Sequence, residues 1–257
     1  MSWALLHAGL GWPIATALLA VSFASSFITV AFGIGGGAVM LAVLATLLPA
    51  PAIIPVHGLV QAGSNIGRAA LMRAHLHIDV VAPFALGALA GVAVGGLTVV
   101  QLDAGVIQIG VGSFILWSIL FTPPAFMRRS GAVAGGASSF LTMFFGGTGP
   151  FVAAYVKSLG LDRMGFVATH ATLMTIQHLL KTIVFGLLGF AFSTWSGFVA
   201  LLIGTGFLGT VVGKHVLARI GERRFKLVLN AILAVLAVRL IYAGATRLMA
   251  SPGGMGG

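Results

Sequence analysis

The chain has 257 residues, of which 59% are hydrophobic and 7% charged, and its mean hydropathy is +1.11. A water-soluble domain of this length needs more polar surface than that, so the composition specifies an all-α polytopic membrane protein. Its net charge of +10 comes from 14 Lys and Arg gathered near segment ends, a pattern of membrane orientation rather than of a nucleic-acid groove, and the absence of cysteine excludes disulfides and thiolate metal centres.

In chain order, apolar segments fall at about 10–32, 36–48, 53–72, 78–100, 104–121, 131–145, 149–159, 164–190, 196–213 and 225–247. The first charged residue is Arg68, so no basic n-region of a cleavable signal peptide leads the chain. A full span takes roughly 20 residues; segments 36–48, 131–145 and 149–159 are too short for one. They adjoin two glycine-rich breaks. The first is Phe32-Gly33-Ile34-Gly35-Gly36-Gly37. Glycine costs about 1 kcal/mol in a helix interior, and lipid cannot satisfy free backbone groups. The break therefore faces something other than lipid. The short helix that follows aims its first N–H groups back at the break, an arrangement that suits an anion.

The same arrangement recurs 113 residues later. Ala24-Ser25-Ser26-Phe27-Ile28-Thr29 leads into Phe32-Gly33, and Ala137-Ser138-Ser139-Phe140-Leu141-Thr142 leads into Phe145-Gly146. In this register His57 falls on His170, Arg68 on Lys181, Gly91 on Gly204 and Gly96 on Gly209. We read two homologous halves, 1–122 and 123–250, within one membrane domain, with 251–257 a disordered tail. Each half is an interrupted helical hairpin plus about three transmembrane helices.

Charge sets the orientation. Arg68/Arg73, Arg128/Arg129 and the cluster from Lys214 to Lys226 are basic, whereas the connections near 101–103 and 191–195 carry no Lys or Arg. Positive-inside logic places the three clusters in the cytoplasm. Segment 53–72 then runs outside to inside and its counterpart 164–190 runs inside to outside, so the repeats are inverted. Inverted repeats with broken helices are a recurring plan of secondary transporters, which bind substrate near mid-membrane. The stripe Gly87, Gly91, Gly95 reads as close helix packing.

The polar residues of the apolar segments mark the site. His57, Gln61, Asn65 and Arg68 share one helix face. His170, His178 and Lys181 share another, with Gln177 and Thr169 beside them. An intramembrane lysine or arginine is a functional candidate; the competing reading is snorkelling to an interface. The hydroxyls Ser25, Ser26, Thr29, Ser138, Ser139, Thr142 and Thr148 add donors, and Gly35, Gly36, Gly37, Gly147 and Gly149 add backbone. Asp79, Asp103, Asp162 and Glu222 lie at ends or in loops. The interior thus offers no paired carboxylates for acid–base work or a sodium cage, and no HExxH, Gly-x-Ser-x-Gly or dinucleotide fingerprint occurs. This basic, hydroxyl-rich interior suits a small oxyanion. No cofactor, metal or nucleic acid is expected.

The run FGIGGG with its short helix and Pro49, and the second copy FFGGTGP with the His170 helix, resemble the TauE/SafE family of sulfite exporters over nearly the whole chain. The second copy departs from the first at Thr148, where the first has Gly35. The resemblance implies a carrier in the bacterial inner membrane for sulfite, sulfoacetate or other organosulfonates. A passive anion channel, an uptake permease for the same substrates, and an intramembrane enzyme or scaffold are the alternatives; missing catalytic sets disfavour the last. Expected partners are the sulfur-containing anion and the lipid bilayer, with a homodimer an open alternative to the monomer. With no buried acid to carry a cation, coupling rests on the membrane potential or on a histidine titrating near neutral pH. Inside-negative potential favours export.

Overall fold

The computed structural model describes residues 3–33, 35–99, 103–216 and 222–250. Ile34 of the first break, Arg219 of the last basic cluster and the 251–257 tail fall outside them. Ten α-helices and no strand are present among the described residues: α1 Trp12–Phe32, α2 Gly36–Leu47, α3 Ala50–Leu71, α4 Val81–Thr98, α5 Ala104–Leu120, α6 Gly131–Phe145, α7 Gly149–Ser158, α8 Arg163–Leu187, α9 Ser196–Val216 and α10 Glu222–Ala250. Each expected segment is a helix, with ends shifted by a few residues. α3 starts at Ala50, because Pro51 fits the first turn of a helix, where no N–H is required.

Among the described residues four stretches are long and apolar enough to cross a membrane: Trp12–Phe32, Ile78–Thr98, Phe192–His215 and Leu227–Ala250. Their outward faces present side chains such as Leu86, Leu97, Phe207 and Val235, which are exposed and suited to lipid. The helices α3 and α8 are as long but carry the polar residues, and these are buried: His57, Gln61, Asn65 and Arg68 on α3, and His170, Gln177, His178 and Lys181 on α8. Polar side chains in a bilayer face the bundle interior for the same reason that apolar ones face outward in it.

Local caps fix several helix starts. Asp103 accepts from the Gly105 N–H, Ser130 from the Val133 N–H and Asp162 from the Gly165 N–H, satisfying donors that have no partner within the helix. Two of the four acidic residues are spent in this way, far from the interior.

The packing is organised in four main pairs: α4 with α6, α1 with α9, α5 with α10 and α3 with α8. The glycine stripe of α4 lies directly on α6. A Cβ at Gly87 or Gly91 would run into the carbonyls of Ala132 and Gly136, and one at Gly135 into that of Phe84. On α9, Gly206 and Gly209 meet Ser22 and Phe23 of α1 in the same manner. The expected packing role of the stripe is thereby met. The crossing of α3 and α8 is antiparallel: Gly58 abuts Lys181 and Thr182, while past the far end of α3 the His77 N–H bonds to the Thr169 hydroxyl. The α5–α10 crossing is antiparallel too, since Gly105 meets Gly244 and Gly112 meets Ala237.

The breaks take the shape their glycines allow. Gly33 and Gly35 adopt φ of 85° and 107°, values that side chains resist. The chain then folds α2 back so tightly that a Cβ at Gly36 would overlap the Ser25 carbonyl and the Thr29 hydroxyl. At the second break Gly146 has φ 77°, and its carbonyl accepts from the Thr142 hydroxyl at 3.0 Å. The α6–α7 hairpin closes at its open end, where the Ser158 hydroxyl approaches the Arg128 carbonyl at 3.5 Å. Both ends of this hairpin therefore lie on one side of the molecule.

Candidate functional site

The crossing of α3 and α8 brings their polar faces together beneath both glycine breaks. A cavity of about 1040 Å³ opens there. Arg128, Lys157 and Arg163 line it at one end, and His57 and His178 line it deeper in. Arg163 is fixed at this basic end by donating to the Ala31 carbonyl at 2.6 Å, the last turn of α1.

Of the residues expected from sequence, Thr29, Gly35, Gly37, His57, Gln61, Asn65, Arg68, Gly147, Gly149, His170 and His178 line the cavity. The two histidines in register make matching contacts. His57 Nε2 lies 3.1 Å from the Gly37 carbonyl and His170 Nε2 lies 3.3 Å from the Gly149 carbonyl. A carbonyl only accepts, so each Nε2 carries the proton. Each contact ties a long polar helix to the first turn of a short one. His57 also meets His178 edge to face, with ring centroids 5.7 Å apart.

Arg68 is 2% exposed. Its Nη1 donates to Asn65 Oδ1 at 2.7 Å and its Nη2 to the Ser64 hydroxyl at 3.4 Å, while Nε has no partner. Asn65 is oriented in turn by donating to the Gln61 carbonyl at 2.8 Å. Among the described residues no carboxylate lines the cavity. A buried guanidinium with only neutral neighbours among the described residues suits an anion, because an uncompensated buried charge costs several kcal/mol (about 3–5 in the usual case).

The other expected residues stand behind the cavity wall. Ser138 donates to Gln177 Oε1 at 2.9 Å, and Gln177 Nε2 donates to the Thr148 hydroxyl at 2.6 Å. This chain explains why Thr148 replaces the Gly35 of the first copy: its hydroxyl anchors the second break to α8. Gly36 and Ser25 form the tight α1–α2 contact. Lys181 is fully buried, and its Nζ donates to the Thr142 hydroxyl and the Gly146 carbonyl, both at 3.3 Å. Its stem crosses α3 at Gly58, where a Cβ would lie 2.7 Å from the lysine Cε. The structure thus separates Lys181 from Arg68: the arginine lines the cavity, and the lysine holds the second break from behind.

Several lining residues escaped the sequence reading. Lys157 and Arg163 flank the α7–α8 connection, Phe166 stacks on His170 at 5.8 Å and 9°, and Asn230 comes from α10. Asn230 alone carried a signal, as an amide inside an apolar helix. The others reach the cavity only because α7 and α8 fold back on the first break, where Phe166 packs over Gly33. Among the described residues no group of His and acidic side chains is arranged to hold a metal ion.

No curated protein and no solved structure matches the chain. The sequence does match the family described as Sulfite exporter TauE/SafE, over residues 18–240, which takes in both glycine breaks, both polar helices and the cavity between them. That family is one of membrane transporters of sulfite and related sulfur anions, in keeping with a basic cavity lined by cations and amides. The chain belongs to the TauE/SafE sulfite exporter family.

Proposed function

We propose that the protein is a secondary transporter that exports sulfite, sulfoacetate or another small organosulfonate across the bacterial inner membrane by alternating access. The observation that carries this reading is Arg68, buried at the cavity wall with an unpartnered Nε and, among the described residues, no carboxylate in the lining. A sulfur oxyanion supplies the missing charge and accepts from a guanidinium by charge-assisted bonds. In this reading Asn65, Gln61, His57, His170 and His178 orient the anion, and the first turns of α2 and α7 add their N–H groups. Lys181 adds positive potential from behind the second break. The amide–hydroxyl chain through Gln177, Thr148 and Ser138 holds that break in place.

The two halves, 1–122 and 123–250, are inverted repeats in this proposal. The 113-residue register in the sequence and the antiparallel crossings of α3 with α8 and α5 with α10 support it. The basic end of the cavity, with Arg128, Lys157 and Arg163, then faces the cytoplasm, and the cavity is the inward-open form. Its far side is closed by buried apolar residues, among them Leu41, Leu44, Val111 and Ile115. Transport requires each hairpin and its following helix to move against the glycine-striped α4 and α9.

Direction follows from charge. An inside-negative potential favours outward movement of an anion by about 2.3 kcal/mol per charge per 100 mV, and roughly twice that for a dianion. In proteoliposomes, efflux of labelled sulfite is expected to accelerate when a potassium–valinomycin potential is set negative inside, with neither sodium nor a pH gradient, and to saturate with concentration. Efflux that ignores the potential but needs a pH gradient would replace this mechanism with proton coupling through the histidines. Ohmic, unsaturable current would indicate a channel.

A further inference from the structure

A second cavity, of about 480 Å³, lies away from the first, between α2, α5 and α10. Thr46, Gln108, Arg239, Thr246 and Arg247 line it. Arg239 and Arg247 have no acidic or hydrogen-bonding partner among the described residues. Gln108 is 9% exposed; its Nε2 donates to the Ala45 carbonyl at 3.2 Å, while Oε1 is buried with no partner. Two cations, both exposed, thus share a small polar groove that is lined by no acidic side chain among the described residues. Arg247 lies one turn from the end of α10 and reaches an interface unaided. Arg239 lies 11 residues from Ala250, about 16 Å along the helix axis, where an arginine in a membrane demands a reason.

The polar set is not a by-product of the internal duplication. In the 113-residue register Thr46 falls on Leu159, Gln108 on Gly221, Arg239 on Phe126, Thr246 on Val133 and Arg247 on Ala134. Every counterpart is apolar or glycine, whereas the central pair His57 and His170 and the pair Arg68 and Lys181 recur. The chamber breaks the symmetry of the protein on one side only.

Its position completes a line. Both α2 and α10 line the two cavities, α2 with Gly37 at the first and Thr46 at the second, α10 with Leu233 at the first and Arg239 at the second. Buried Leu41, Leu44, Val111, Ile115 and Ala237 lie in the core between them. We propose that the Arg239–Arg247 chamber is a second anion site, on the outer face, that receives a tetrahedral oxyanion. Arg239 and Arg247 donate to its oxygens, and Gln108 Oε1 accepts from an arginine N–H or from the O–H of a protonated oxyanion. The word outer rests on the export topology proposed above; the site itself does not. The same anionic-oxygen chemistry belongs to the exported anion and to a phospholipid phosphodiester, and the test separates the two.

The natural chain has no cysteine, so Thr246→Cys provides one reporter inside the chamber. In maltoside micelles, which hold no phosphate, its labelling by a sulfonate-bearing methanethiosulfonate is expected to outpace labelling by the trimethylammonium reagent tenfold or more. Arg239→Gln with Arg247→Gln removes that preference, and Arg239→Lys with Arg247→Lys retains it, which guards against a merely misfolded variant. Added sulfate slows the anionic reagent if an aqueous anion occupies the chamber. Added phosphatidylglycerol slows it, with sulfate ineffective, if a lipid phosphate does. Equal rates for the two reagents, a preference that survives loss of both arginines, or no protection by either anion would overturn the proposal. None of these readouts needs transport, so failure of the export reading leaves them interpretable.

Discussion

Replacing Arg68 by methionine tests the central site with two readouts that move in opposite directions. The substitution keeps an unbranched stem and removes the charge. Folded wild type holds this guanidinium 2% exposed, with Asn65 and Ser64 as its neutral partners and, among the described residues, no acid at the cavity wall. Replacing a buried ionic group by an apolar one of similar volume is commonly neutral or stabilising by about 1–4 kcal/mol. The partners left behind are Asn65 Oδ1 and the Ser64 hydroxyl; Asn65 itself lines the cavity, where water replaces the lost bond. The unliganded variant is therefore expected to melt at or above the wild-type temperature. Its anion binding is expected to fall, because each charge-assisted bond is worth about 1.5–3 kcal/mol, or roughly 10- to 150-fold in affinity. A ligand at 100 times Kd stabilises by about 2.7 kcal/mol; after a 100-fold loss the same concentration stabilises by about 0.4 kcal/mol. Thermal unfolding in detergent, followed with and without sulfite, reads both quantities. An unliganded variant that melts several degrees lower yet keeps the full sulfite shift would refute the assignment and make Arg68 a structural residue.

Three further outcomes are expected. Gly36→Ala forces a methyl group into the Ser25 carbonyl, so α2 cannot close on α1; the variant should elute aggregated in fluorescence-detected size exclusion, and a monodisperse, active protein would contradict the packing. Lys181→Met loses its bonds to Thr142 and Gly146 rather than a cavity contact, so it should weaken sulfite binding less than Arg68→Met does, by under about tenfold, and a loss equal to that of Arg68→Met would place the lysine at the anion. Single cysteines at Ser130 and Thr194 should label from opposite faces of right-side-out vesicles, Thr194 from outside, because Arg128 and Arg129 adjoin the first and no basic residue adjoins the second; labelling from one face would end the inverted arrangement.

Much of this protein was legible before any fold was known. Composition alone demanded a helical membrane protein, because lipid leaves the backbone few options. The glycine runs marked both breaks, since glycines clustered in an apolar segment have no other ready explanation, and the 113-residue register made one half annotate the other. The polar faces of α3 and α8 were readable from helical spacing, which depends only on the period of the helix.

Tertiary structure decided how those faces meet, because that depends on residues distant in sequence. Helical spacing put Arg68 and Lys181 in equivalent places, yet the antiparallel crossing sends one to the cavity wall and the other behind the second break, across the bare backbone of Gly58. The same crossing brings Phe166 over Gly33 and Arg163 to the end of α1, contacts that no local pattern announces. The second cavity is likewise a product of assembly. Thr46, Gln108 and Arg239 belong to three helices spread over most of the chain, and only the packing of α2, α5 and α10 makes them neighbours. Periodicity assigns a residue to a face; the packed crossing of two helices decides what that face encloses.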